Sequence, residues 1–439
     1  MRQKHTTQGS IFWFRPEHEI SRYLDRIDDW LNHHPELLDW VNDDLYRDGY
    51  SAKGRSGLSC EQVLRAALIK QYRQCSYREL VFLLTDSLSF QHFTRIDPLK
   101  VPGKSVLQAS ISRIQPATWE RMNQLFVQSQ MDCGFEPGDR WRIDSTVAES
   151  HILLPTDSKL LYDAVRIMVR LLRSLKGRTE VRYVDHRRRA KRHWYGAHYA
   201  RNQAGRYPHY EALLKDVRTT QASLREVLQS LKKRRDQSIY IGQIEALLPL
   251  VEQVMQQTIR RVMNGEVVPA AEKLVSLFEP HADIIKKGGR DVQYGHKLNL
   301  TSGASGLIYD VVIEPGNPAD AARLLPMLER HQAIYGRLPI DIAADGGYAS
   351  QDNLIETKAM GIVNVAFHKR INLSIEEMTG ENWLYRELRN FRAGIEAGIS
   401  YLKRCFGLKR VYWKGWDHFK ASVHLSIFTH NLIRWARAP

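Results

Sequence analysis

The sequence is short of three things. It has four cysteines, Cys60, Cys75, Cys133 and Cys405, and no two of them form a C-x-x-C pair. That argues against zinc ribbons and fingers and predicts reduced thiols in a cytosolic protein. No apolar run reaches the roughly 18 residues a bilayer-spanning helix needs, so no membrane partner is expected. The polar start, Met1-Arg2-Gln3-Lys4-His5, carries no signal-peptide pattern. The third shortage is of negative charge: 49 Asp and Glu stand against 64 Lys and Arg, a formal net charge of +15. Such a surplus implies a polyanionic partner, most often nucleic acid.

What is present suffices for two or three packed domains: 439 residues, 43% of them hydrophobic. The N-terminal segment, residues 1–135, reads as helical. An amphipathic stretch runs from about Pro16 to Leu45, with Ile20, Tyr23, Leu24, Ile27, Trp30 and Leu31 at helical spacing. After a polar gap from Arg47 to Gly57, Ser59 and Gln62 form a capping-box pattern, and Ser76 and Glu79 repeat it. A further short helix is predicted at Lys104 to Ile114. Lys70, Arg73, Arg78 and Arg113 on such helices suit either a helix-turn-helix-like DNA-binding unit or a bundle with solvated charges.

Residues 136–155 and 281–439 carry the β signals and three spaced acids. Asp144 sits in the run Trp141-Arg142-Ile143-Asp144-Ser145-Thr146, where strand propensity disfavours a carboxylate. Val292 to Leu300 and Leu307 to Ile313 read as a hairpin around Ser302-Gly303-Ala304-Ser305-Gly306. Asn317 and Pro318 are predicted to start a helix that Gly336 stops. Ile340 to Ala344 is a buried strand ending on Asp345-Gly346-Gly347, and Ile362 to Phe367 is a last strand. The order predicts a mixed α/β sheet with helices on its faces. If the strands of Asp144 and Asp345 are neighbours, their carboxylates lie side by side and need a cation, and hard divalent ions suit such oxygen donors. Glu396 follows Arg392 by one helical turn. The nearby pairs Ala393-Gly394 and Ala397-Gly398 predict that this helix is pressed onto the sheet.

Residues 156–280 read as a long basic helical insertion, a coiled-coil or bundle of three amphipathic helices. Between the first two lies the densest basic run, containing Arg187, Arg188, Arg189, Lys191 and Arg192, followed by Trp194 and Tyr195. Its cations suit phosphates, and the aromatics suit stacking on an unpaired base. A second basic-aromatic stretch comprises Lys409, Arg410, Tyr412, Trp413, Lys414 and Trp416.

Four motifs in this order resemble the bacterial insertion-sequence transposases of the DDE class. Ser76-Tyr77-Arg78-Glu79-Leu80 through Asp86 to Phe93 is similar to their N-terminal domain. Ile143-Asp144-Ser145-Thr146-Val147 is similar to the first-acid motif, and Ala344-Asp345-Gly346-Gly347-Tyr348 to the second. Arg392, Glu396 and Lys403 match the R-x3-E-x6-K part of the third. Arg389 stands where that signature often has a tyrosine linked to DNA contact near the cut. The resemblance implies an RNase H-like catalytic domain in which Asp144, Asp345 and Glu396 are catalytic and hold two Mg2+ or Mn2+. It also implies DNA contacts from Arg392, Lys403 and Arg389, with double-stranded element ends and target DNA as partners. A homodimer or larger assembly on DNA and a cytoplasmic, nucleoid-associated location follow from the same resemblance. A nuclease of the same fold without strand transfer and an inactive DNA-binding regulator are the rival expectations.

Overall fold

The computed structural model describes residues 4–5, 17–47, 49, 57–177, 180–233, 239–286, 291–368 and 372–438. The expectations for Met1 to Gln3, for Pro16 and for most of the polar gap after Arg47 lie outside these residues. By contact the chain divides into two units, residues 1–149 with 296–439 and residues 150–295.

In the larger unit, the first amphipathic stretch is two helices, Glu19–His33 and Glu36–Tyr46. The break falls at Pro35, which lacks an N–H and disfavours helix at the residue before it. The capping box at Ser59 forms as predicted, and Ser76 accepts the Glu79 N–H. The short helices Leu88–Thr94 and Ile375–Thr379 have no counterpart in the sequence reading, nor does the helix Pro116–Asp132, with proline in its first turn. Its Trp119, Met122 and Phe126 are wholly buried. Phe126 meets Trp30 edge-on at 4.9 Å and Phe428 at 6.4 Å. The N-terminal helices therefore share one hydrophobic core with the last helix, Trp416–Ala436.

The strands in chain order are β1 (Arg140–Ser150), β2 (Asp283–Ile285), β3 (Gln293–Ser302), β4 (Ile308–Ile313), β5 (Asp341–Ala344), β6 (Asn364–Phe367) and β7 (Arg410–Val411). The order across the sheet is β3-β1-β5-β6, with β4 on β3 and β7 on β1. The hairpin β3–β4 is antiparallel, as expected, while β5 runs parallel to both β1 and β6. The short β2 was not foreseen; it pairs antiparallel with Gln293 to Gly295 at the start of β3.

The helix expected from Asn317 starts later. A 3-10 turn, Ala321–Arg323, follows Asp320, whose side chain makes no capping bond, and leads into Leu324–Tyr335, which Gly336 ends at φ +68°. Lys297 on β3 explains the delay. Its Nζ donates to the Pro318 carbonyl at 2.6 Å and pairs with Asp320 at 2.7 Å, tying this approach to the sheet.

The smaller unit is a helical bundle. Helices Asp157–Ser174, Arg187–Tyr199, Gln203–Lys233 and Ile239–Thr258 surround a core that includes Leu161, Val165, Leu213, Val217, Ile244 and Val251. The three long amphipathic helices predicted from sequence are all present, and the basic run forms a fourth.

Candidate active site

The parallel register of β1 and β5 sets the first two acids. Arg140 lies opposite Asp341, and the ladder runs to Ile143 opposite Ala344. One residue further along each strand come Asp144 and Asp345. The third acid arrives on the helix Asn382–Cys405, which packs on β5. All three meet at a single guanidinium. Arg392 Nη2 lies 3.2 Å from Asp144 Oδ2 and 3.5 Å from Asp345 Oδ1, and its Nη1 lies 2.8 Å from Glu396 Oε1.

Burial is graded across the cluster. Arg392 and Asp144 are buried, Asp345 is half-buried and Glu396 is exposed. Asp144 Oδ1 also accepts the Ser145 N–H at 2.7 Å. Carboxylates gathered on one guanidinium repel one another unless a cation sits with them. Among the described residues no group of three His, Cys, Asp or Glu side chains is arranged to hold a metal ion. The acids gather around arginine instead. The Asp144 and Asp345 pair supplies the oxygen donors that a hard divalent ion takes. Glu396 reaches the pair only through Arg392.

Beneath the second acid, Tyr348 closes the Asp345-Gly346-Gly347 turn and is fully buried. Its hydroxyl donates to Asn299 Oδ1 at 2.8 Å, and Asn299 donates in turn to Glu314. Burial, with Asp320 and Asp144 adding, holds the Tyr348 hydroxyl far above its ordinary pKa, so it remains a donor. Asn299 was not singled out in the sequence, because an asparagine within an alternating strand has no local signature.

The two glycines of the third-acid helix differ. A Cβ at Gly394 would lie 2.0 Å from Arg142 Nη1. That guanidinium is committed: it donates to Ser302 Oγ at 2.8 Å and the Phe391 carbonyl at 2.6 Å, and lies over the Phe391 ring. At Gly398 nothing lies within 4 Å, so the packing argument holds for one pair and fails for the other. Gly394→Ala is expected to destabilise by about 1–3 kcal/mol through overpacking. Gly398→Ala is expected to stabilise by up to about 1 kcal/mol through helix propensity. Denaturant midpoints of the two variants check this; equal shifts would refute it.

The remaining expected contacts are dispersed. Lys403 is half-buried, about two turns beyond Glu396. Arg389 is exposed, 5.7 Å above the ring of Tyr385, whose own hydroxyl is spent on the Phe367 carbonyl. Arg410 pairs with Glu149 through Nε at 2.9 Å, and Lys409 is exposed beside it. Among the entry-helix cations, Arg73, Arg78 and Arg113 are exposed, and Arg113 also donates to the Leu45 carbonyl.

In the helical unit, Arg188, Lys191 and Arg192 face outward on the Arg187–Tyr199 helix. Arg187 is paired with Asp185 at 2.6 Å, and Arg189 with the buried Asp216. Trp194 is not an open platform: it stacks on Tyr162 at 5.1 Å and on Tyr195 at 4.6 Å. Tyr195 and Tyr199 are the exposed rings of that ladder. Consequently Arg188→Gln should reduce the salt dependence of DNA binding with little effect on stability. Arg189→Gln should cost about 1–3 kcal/mol by stranding Asp216. Salt titrations and urea unfolding of both variants separate the two roles, and a reversal of the pattern would refute the assignment.

Two family models match the chain. One described as a transposase DDE domain covers residues 268–432, and one described as a transposase domain (DUF772) covers residues 18–113. No curated protein and no solved structure matches it. The DDE match takes in Asp345, Arg392, Glu396 and Lys403. Asp144 falls outside both matches and is joined to the others by the β1–β5 register and the shared arginine. That family acts on DNA and generally depends on a divalent metal. The two matches stand in the order in which the helices and the mixed sheet follow one another, and from them the chain belongs to the DDE transposases of insertion sequences, with their RNase H-like fold.

Proposed function

We propose that this transposase binds the ends of its element, cuts there and joins the freed 3′ ends to target DNA, with Asp144, Asp345 and Glu396 as its catalytic acids. The observation that carries the reading is the guanidinium shared by three carboxylates from a strand, a strand end and a helix. Asp144 and Asp345, with Glu396 as third donor, would hold two Mg2+ or Mn2+. Bound there, these ions supply charge neutralisation and oxygen activation for an in-line displacement at phosphorus.

The chain's own groups do the positioning. The β1–β5 ladder holds the two aspartates level, and the Ser145 N–H orients one oxygen of Asp144. The Arg392 fork matches phosphate as well as carboxylate, so the side chain that balances the acids also serves as a backbone clamp. Its buried Nε has no partner among the described residues. Lys403, Arg389, Lys409 and Arg410 extend positive charge from this region. In the helical unit Arg187, Arg188, Arg189, Lys191, Arg192, Trp194 and Tyr195 make up the second DNA-contacting set, with Arg188, Lys191, Arg192 and Tyr195 carrying most of the contact. These contacts position DNA without reading its sequence. One copy per end makes the working assembly a homodimer or larger, acting at the nucleoid in the cytoplasm.

Purified protein, end DNA and a supercoiled target with Mg2+ test the reading. Joined products are expected. Nicked ends without joints would leave the nuclease reading, and binding without nicks would leave the regulator.

A further inference from the structure

The basic-aromatic stretch after Lys409 forms one wall of a cavity of about 850 Å3, a size suited to a small ligand. The opposite wall is the end of helix Cys60–Arg73 and the start of helix Tyr77–Asp86. Lys70 lies between the walls, its ammonium 4.8 Å from the Tyr77 ring and 5.5 Å from the Trp413 ring. Burial pushes its pKa down. Among the described residues no Asp or Glu lines the cavity; Lys414 adds positive charge, whereas the charge of Arg410 is met by Glu149. A half-buried ammonium that meets two aromatic faces and Cys75, with no carboxylate partner among the described residues, is costly, and an anionic ligand relieves that cost.

The walls are fastened to each other. Gln71 Nε2 donates to the Phe406 carbonyl at 2.6 Å and Ser426 Oγ at 2.8 Å, and Gln74 Nε2 donates to the Arg404 carbonyl at 2.8 Å. The site is thus built into the fold. It also lies within reach of the acids. The Glu149 N–H donates to the Lys409 carbonyl at 3.1 Å, and Glu149 and Asp144 are joined by one strand, β1. Five residues of strand span roughly 17 Å, or about five nucleotide steps of duplex DNA.

We propose that this cavity receives one unpaired nucleotide of a DNA strand, its base stacked on Trp413 and Tyr412 and its phosphate held by Lys70 and Lys414. Aromatic platforms beside cations are the general chemistry of single-strand binding, and they tolerate any base. Duplex DNA cannot enter, because its bases are already stacked on one another. The inference rests on DNA being the partner and is independent of the roles of the three acids.

The test uses the full-length protein and an oligothymidine carrying a single 5-iodouracil, irradiated so that the base crosslinks to a neighbouring aromatic ring. Crosslinked peptides are then identified. Capture is expected on residues 409–418 or 70–77 from single-stranded probe and not from the duplex form. Trp413→Ala and Lys70→Met should each lower that yield by about fivefold or more. Tyr412→Ala, which alters a side chain 66% exposed, should lower it without affecting the fold. Capture on the Arg187–Tyr199 helix serves as the internal reference and should not change. Asp144→Asn should crosslink as the parent does, so failure of the catalytic reading leaves this result intact. Capture confined to other segments, equal capture from duplex, or undiminished yield in all three variants overturns the proposal.

Discussion

Asp144→Asn is expected to abolish both end cleavage and strand joining while leaving binding to end DNA in place. The substitution preserves shape and removes the negative charge that, in the proposed function, a divalent ion would take from this position. Metal-assisted stabilisation at phosphorus is worth several kcal/mol, so the loss should be on the order of a thousandfold or more in rate. Asp345→Asn and Glu396→Gln should behave alike, because in the proposed function the three carboxylates serve one centre and such losses do not add. Glu396 is the most informative of the three. Its exposure means that Glu396→Gln hardly touches the core, so lost activity there cannot be ascribed to unfolding. Gel-shift binding and cleavage assays on the same preparations give both readouts. Unimpaired cleavage by any one of the three variants would remove that residue from the reaction.

Acid is expected to unfold the larger unit well above the pH at which its carboxylates alone would. His331, His424 and His430 are all buried, and burial pushes each ring's pKa down to about 4. His331 lies 4.9 Å from Tyr335 and 5.5 Å from Tyr309, and among the described residues neither ring nitrogen has a hydrogen-bond partner; Arg337 disfavours its charged form further. His430 is packed against Phe406 and Tyr401, with the neighbouring Asn431 as hydrogen-bond partner. Around His424, Asp310 favours the proton while Arg330 and Lys420 oppose it. Below about pH 6.5 the unfolded chain protonates these rings, whereas the folded chain does so only near pH 4. Stability is therefore whole above pH 6.5 and declines as pH falls towards 4, by roughly 1.4 kcal/mol per pH unit for each ring. Together this amounts to several kcal/mol, a large part of an ordinary folding free energy. Urea midpoints at pH 7.5 and 5.0 measure the loss, and His331→Leu should reduce the slope by about a third. A midpoint that does not move with pH would show that the rings are hydrated in the folded protein.

Local chemistry made much of the chain legible. Ser59 with Gln62 and Ser76 with Glu79 marked real helix starts, because a hydroxyl three residues before an N–H caps it whatever lies elsewhere. Gly336 marked a helix end because the left-handed turn there suits glycine. Alternation in β3 and β4 gave the hairpin. Local chemistry failed where a distant partner prevailed. The Asn317-Pro318 signal for a helix start yielded to Lys297, which holds the Pro318 carbonyl and Asp320 from a neighbouring strand. Trp194 read as a base-stacking platform, but Tyr162 and Tyr195 already occupy its faces. Gly398 matched the pattern that Gly394 obeys, yet only Gly394 has a guanidinium against it.

By itself the sequence determined the surplus of positive charge, the order of helices and strands, and the identity and spacing of the three acids, since all of these are written in single residues and short periods. Only the tertiary structure decided that β5 lies parallel beside β1 with Asp144 and Asp345 level, and that Arg392 is the point where they meet Glu396. It also decided that Lys70, far from the tail in sequence, faces Trp413 across one cavity. The physical reason is that strand order and cross-chain charge pairing depend on which surfaces are buried together, and that is a property of the whole packed core.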